Sequence, residues 1–266
     1  MSCFVTTTLI VAAVVAGLAR SSPARADAVI VAFGDSLTAG TGVAPDEAYP
    51  ARLQARLTRE GYAYRVVNAG VSGDTTAGAL RRVDWVLRAK PELVIVAFGA
   101  NDGLRGQSVT AMRDNLEAIV RRLQAAGARV LLAGMRLPPN YGDELGGAFA
   151  AAFPEVARVT GAALMPFLLD GVAAVPRLNQ PDGIHPNADG HRTIAERLWP
   201  HLKPLLRPRA AGARAICVPA CAATMTTRHD APGHHRARVP PNQPLRLWHP
   251  VCIEQPPCVR IHLSAR

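Results

Sequence analysis

Two short segments carry side chains that can work together on an acyl bond. Phe33-Gly34-Asp35-Ser36-Leu37 directly follows the apolar run Ala28 to Phe33, and far downstream comes Asp182-Gly183-Ile184-His185-Pro186. A serine hydroxyl is a weak nucleophile until a histidine can take its proton, and that histidine needs a carboxylate to fix its tautomer and steady the imidazolium. Asp182 and His185, three positions apart on one turn, can supply both. Taken singly, each segment also fits ordinary turn chemistry, because Gly, Asp and Ser are common wherever a strand ends.

Two further segments tilt the balance. Asn68-Ala69-Gly70-Val71-Ser72-Gly73-Asp74-Thr75 follows the run Tyr64 to Val67, and Gly99-Ala100-Asn101-Asp102 follows Leu93 to Phe98. Strand-like runs that end in small polar loops bring those loops to one edge if the sheet is parallel. Acyl transfer passes through an oxyanion, which calls for preorganised N–H donors. Gly73 lets its backbone N–H come close, Asn101 offers a side-chain amide, and the Ser36 backbone N–H is a third donor.

These blocks together resemble the SGNH (GDSL) hydrolase superfamily. The superfamily's name lists a catalytic Ser, Gly, Asn and His, which by motif are Ser36, Gly73, Asn101 and His185, with Asp182 completing the triad. Asn101-Asp102-Gly103-Leu104-Arg105-Gly106 and Arg136-Leu137-Pro138-Pro139-Asn140-Tyr141-Gly142 are similar to the periplasmic thioesterase I, arylesterase and lysophospholipase branch. The resemblance covers residues 28 to 206. It implies that Leu104, Leu137 and Ile184 line an acyl groove and that residues 103 to 108 act as a lid. The pentapeptide Gly-x-Ser-x-Gly occurs nowhere, so the nucleophile elbow of the α/β-hydrolases is not the pattern followed.

The elements needed to position these residues are legible as alternation. Strand-type runs cover Ala28 to Phe33, Tyr64 to Asn68, Leu93 to Phe98, Arg129 to Gly134 and Ala162 to Phe167. Helix-length segments Asp46 to Glu60, Ser108 to Ala126 and Glu144 to Thr160 are each followed by the glycine that a helix C-terminus favours. In the second of these, Val109, Met112, Leu116, Ile119, Val120 and Leu123 recur at helical spacing and predict a core-facing stripe. The expected fold is therefore α/β: a three-layer, flavodoxin-like sandwich around a parallel sheet of about five strands. A further helix carrying His191 and His201 is expected near the domain's end, with packing or solvent-facing roles for both. Asp35, Asp74 and Asp102 are expected to brace their loops rather than react.

The 266 residues, 49% of them hydrophobic, suit one domain with extra segments at its ends. Thr7 to Leu18 is apolar but too short to span a bilayer, and Ala24-Arg25-Ala26 fits a small-x-small cleavage site. Residues 1–26 therefore read as a signal peptide, and the protein as secreted, in the periplasm. The net charge of +10 would suggest a nucleic-acid partner were it uniform. Residues 27–207 hold 20 Lys plus Arg against 18 Asp plus Glu, whereas residues 208–266 hold eight Arg against two acids. No nucleic-acid partner is expected, and the basicity belongs to the tail.

That tail has nine of the 22 prolines and no core-forming periodicity, and reads as disordered. It could contact anionic surfaces. Its four cysteines, Cys217, Cys221, Cys252 and Cys258, lack the paired C-x2-C knuckles of strong zinc motifs, and in an oxidising compartment one or two disulfides are the alternative. The expected activity is hydrolysis of aryl and acyl esters, lysophospholipids among them, and of acyl thioesters, with no cofactor and no metal. The partner is a small-molecule or lipid acyl ester. A carbohydrate O-acetylesterase would use the same residues with a smaller acyl site. A non-catalytic protein working through its basic tail would leave the catalytic set without a purpose.

Overall fold

The computed structural model describes residues 27–207. The leader and tail readings concern residues outside that range. Among the described residues the chain runs β1 (Ala28–Gly34), α1 (Ser36–Ala39), α2 (Tyr49–Arg59), β2 (Tyr64–Gly70), α3 (Thr76–Leu87), β3 (Leu93–Ala97), α4 (Ala100–Leu104), α5 (Val109–Ala125), β4 (Arg129–Ala133), α6 (Asp143–Thr160), β5 (Ala163–Met165) and α7 (Ala188–Leu202), with 3-10 turns at 139–141, 176–178 and 203–205. The strands form one sheet in the order β2-β1-β3-β4-β5, every neighbouring pair parallel. This is the α/β layout expected of the sequence.

The order follows from composition. β3 is buried at every residue and β1 over its last five, as befits central strands covered on both faces by helices. The chain winds outward from β1 to β2 and then turns back through β3, β4 and β5. A crevice opens where that direction reverses, beyond the C-terminal ends of β1 and β3. Gly34, the last residue of β1, is in register with Gly70 of β2 and Ala97 of β3, so the loops after these three strands leave the sheet at one level. The outer edge of β2 is closed by a side chain: Gln54 of α2 accepts from Val66 N–H at 2.6 Å and donates to the Tyr64 carbonyl at 3.0 Å.

The helices match their expected stripes closely. In α5 the residues Met112, Leu116, Ile119, Val120 and Leu123 are buried, and Ser108 caps its start by accepting from Ala111 N–H. Gly127 and Gly161, after α5 and α6, have φ of 86° and 70°, where an L side chain would be strained. The departures are local. α2 begins at Tyr49 rather than Asp46, with Pro50 in its first turn where no intrahelical donor is required. β5 is short because Pro166 has no N–H to extend the ladder. α3, with Gly78 near its start and a stripe of Ala79, Leu80, Val83, Val86 and Leu87, is an element for which the sequence reading gave no expectation.

Candidate active site

β1 delivers Ser36 to the reversal point. The strand stops at Gly34, where an added Cβ would stand 2.0 Å from Thr38 Oγ1 and 2.8 Å from the Ala97 carbonyl, so the turn closes only around a glycine. Asp35 follows and accepts from Leu37 N–H at 3.0 Å, which starts α1 with Ser36 as its first residue. The Ser36 hydroxyl Oγ lies 3.0 Å from His185 Nε2, and His185 Nδ1 lies 2.6 Å from Asp182 Oδ2. The three side chains paired from the sequence therefore meet.

Asp182 is tied into its own turn. Its Oδ1 accepts from the backbone N–H groups of Ile184 and His185, both at 3.0 Å. Those backbone donors and the imidazole hold its carboxyl at about 2, below the usual carboxylate range. An ionised Asp182 keeps the proton on Nδ1 and leaves Nε2 to accept from Ser36. The turn is anchored from outside by Gln180, whose side-chain amide donates to the Thr41 and Pro186 carbonyls at 2.7 and 2.9 Å. Gln180 thereby links the histidine's loop to the segment after α1.

The proposed oxyanion donors lie on the neighbouring loops. Gly73 has φ of 77°, and its carbonyl accepts from Arg105 at 2.8 Å. Asn101 stands in the short helix α4 rather than in an open loop. Its amide donates to the Asp74 carbonyl at 3.0 Å and makes a long contact of 3.4 Å with Asp35 Oδ2. Asn101 is thus anchored one residue beyond Gly73. Asp102, only 2% exposed, accepts from Thr76 N–H at 2.9 Å and from the Thr76 hydroxyl at 2.5 Å, joining α4 to the start of α3. Asp74 accepts from Arg82 at 2.7 Å. All three aspartates expected to brace loops make such contacts.

Leu104 and Leu137 come from adjacent loops. The Tyr141 hydroxyl donates to the Leu104 carbonyl at 3.3 Å, and a Cβ on Gly103 would lie 2.4 Å from Leu137 Cδ2. Ile184 is on the histidine's loop and is 48% exposed. A cavity of about 400 Å³ lies at the opposite end of the strands, among Asp27, Glu92 and Arg207, and includes no triad residue. The triad is partly open to solvent, with the His185 side chain 22% and the Asp182 side chain 45% exposed. His191 is buried, accepts from Tyr49 N–H at 3.3 Å and is pushed down to about 4 by that burial, so it packs as a neutral ring. Among the described residues no group of three potential metal ligands occurs.

Asp35 carries a consequence for stability. It is 2% exposed, and burial lifts its carboxyl from 3.8 to about 6, the Leu37 N–H only partly opposing. Between those values the native state holds a proton that the unfolded chain has released. This contribution to stability is therefore greatest at low pH, falls as pH rises toward about 6 and stays low above it. Asp35→Asn keeps the bond to Leu37 without the titration. The melting temperature of wild type minus that of the variant should fall between pH ~4 and ~7; a constant difference would show that Asp35 is not a buried acid.

A histidine nitrogen presented to a strand-end serine, at the reversal point of a parallel sheet, defines a serine hydrolase. This chain belongs to the GDSL-like lipase/acylhydrolase family, whose sequence profile matches residues 32–193. Esterase TesA of Pseudomonas aeruginosa is 45% identical over 178 residues, 66% of this chain and 89% of the relative. The Escherichia coli protein named thioesterase 1/protease 1/lysophospholipase L1 is 38% identical over 184 residues, 69% of this chain and 86% of that one. A crystal structure of the psychrotrophic esterase EstA from Pseudoalteromonas sp., inhibited by monoethylphosphonate, has a TM-score of 0.64 at 36% identity and covers 67% of this chain and 98% of that chain.

Four residues that organise the site escaped sequence reasoning. Gln180, Arg82, Arg105 and Tyr141 all donate to backbone carbonyls, and nothing in a sequence marks which carbonyl a side chain will find. Arg105 and Tyr141 lie within the branch-specific segments, which was the one available signal.

Proposed function

We propose that this enzyme hydrolyses aryl and acyl carboxylic esters, lysophospholipids among them, and acyl thioesters, through an acyl-enzyme on Ser36. The observation that carries the reading is the continuous relay from Ser36 Oγ through His185 to Asp182, at 3.0 and 2.6 Å. His185 Nε2 takes the hydroxyl proton as Oγ attacks the acyl carbonyl carbon. The carbonyl π electrons move to oxygen, and the Ser36 and Gly73 N–H groups with the Asn101 amide are the donors for that charge. As the tetrahedral adduct collapses, His185 returns the proton to the departing alcohol or thiol. Water then enters, gives its proton to His185 and attacks the acyl carbon; as the second adduct collapses the acyl–Oγ bond breaks, His185 returns that proton to Ser36 Oγ, and the acid leaves.

Leu104, Leu137 and Ile184 are the groups proposed to receive the acyl chain, an apolar lining that gains about 0.8 kcal/mol per methylene buried. On a series of p-nitrophenyl esters, kcat/KM should rise from acetyl to octanoyl. A maximum at acetyl would overturn the role of these three residues in holding the acyl chain and favour an O-acetylesterase.

No helix among the described residues is long and apolar enough to cross a membrane. Export is proposed from the apolar stretch Thr7 to Leu18 and the Ala24-Arg25-Ala26 site. The intact mass of the protein recovered from a periplasmic extract checks it, since an uncleaved amino terminus would count against the leader.

A further inference from the structure

Arg82 ties the end of β1 to the end of β2 and the loop that follows it. It projects from α3, and its guanidinium donates in three directions: from Nε to Asp74 Oδ2 at 2.7 Å, from Nη1 to the Ala69 carbonyl at 2.9 Å, and from Nη2 to the Gly34 carbonyl at 3.0 Å. Its plane stands against two aromatic rings, with Cζ 4.5 Å from the Phe33 centroid and 5.5 Å from that of Phe98. The side chain is 21% exposed, and that of Asp74 12%.

Each acceptor lies within four residues of a residue of the proposed mechanism. Gly34 is two residues before Ser36. Ala69 is near the end of β2, where the chain leaves the sheet toward Gly73. Asp74 follows Gly73 directly, and its carbonyl is the one that anchors the Asn101 amide. The Gly34 carbonyl also accepts from Val71 N–H at 3.0 Å, so Arg82 adds to a joint between β1 and the segment after β2 that the backbone already makes. The planar fork of one arginine meets two carbonyls and a carboxylate at fixed angles, which a lysine cannot do.

We infer that Arg82 is a positioning residue for catalysis, setting the distance between the Ser36 turn and the oxyanion donors Gly73 and Asn101. It touches no substrate and acts through the backbone. The inference rests on the ester-hydrolase reading of the site. Displacement of reacting groups by ~1 Å costs rate by up to ~10²-fold while leaving ground-state binding largely intact. The loss should accordingly fall on kcat.

The test compares wild type, Arg82→Met and Arg82→Lys by thermal melting, by kcat and KM on p-nitrophenyl butyrate, and by the rate at which an organophosphonate ester labels Ser36. Arg82→Met should lower kcat by ~10- to 100-fold with KM within about twofold, and should slow phosphonylation by a similar factor. Arg82→Lys, which retains charge but not the fork, should stay at least ~5-fold below wild type at a temperature where all three proteins are folded. If Arg82→Met does not fold, the lysine variant alone decides. A purely structural role would lower the melting temperature and leave kcat and labelling at wild-type values, and that result overturns the inference. Failure of wild type to be labelled at Ser36 is a separate outcome, which overturns the hydrolase reading itself.

Discussion

Ser36→Ala is expected to lower kcat for ester hydrolysis by on the order of 10⁶, the scale of loss when a serine hydrolase is deprived of its nucleophile. The reason is specific to this oxygen. In the proposed cycle Oγ forms the only covalent bond to the acyl group, and among the described residues no other hydroxyl bonds His185 Nε2. The Thr38 hydroxyl is paired with the Tyr49 hydroxyl at 2.9 Å, and the Thr41 hydroxyl with that of Ser72 at 2.6 Å. Stability should hardly change, because the start of α1 depends on the Asp35 carboxylate and on backbone bonds rather than on Oγ. The measurement is turnover of p-nitrophenyl butyrate beside a melting curve. An organophosphonate should add one equivalent to wild type and none to the variant. A correctly folded Ser36→Ala protein with wild-type turnover would remove the basis of the mechanism.

The legible parts of this molecule are those whose physics is local or periodic. Runs such as Leu93 to Phe98 announce a strand buried on both faces, and the stripe from Met112 to Leu123 announces one helical face. The three triad residues were legible for another reason: few combinations other than Ser, His and Asp at loop ends perform acyl transfer, so residue type alone narrows the choice. α3 was passed over although Ala79, Leu80, Val83, Val86 and Leu87 recur at helical spacing, because Gly78 and the arginine pair interrupt a stripe of mostly small residues. The braces were not legible. Arg82 is one of two adjacent arginines in a segment to which the sequence assigned no element, and Gln180 is a polar residue shortly before the Asp182 turn. Their acceptors are carbonyls of Gly34, Ala69, Thr41 and Pro186, which become neighbours only once the sheet has formed. The acyl-binding residues fall between these cases. Leu104, Leu137 and Ile184 came from resemblance, and the structure puts the loops of the first two in contact while placing Ile184 beside His185 on a third.

Asn101→Ala should lower kcat by ~10² to 10³, with KM within a few-fold of wild type, because its amide is proposed to meet charge that exists only in the transition state. The surroundings of Asn101 make this a sharper experiment than deletion of a free donor. The amide nitrogen donates to the Asp74 carbonyl at 3.0 Å and makes only a long 3.4 Å contact with Asp35 Oδ2, so the proposed role requires the hydrogen that Asp74 does not hold. Truncation also frees the Asp74 carbonyl, which adjoins Gly73, so part of the loss would arise from a displaced second donor. Asn101→Asp separates the two effects. A carboxylate would repel both the oxyanion and the Asp74 carbonyl, so its kcat should fall below that of Asn101→Ala. A role confined to holding the loop would instead lower the melting temperature of both variants with kcat preserved. A raised KM with unchanged kcat would mark Asn101 as a ground-state contact, leaving Ser36 and Gly73 as the oxyanion donors.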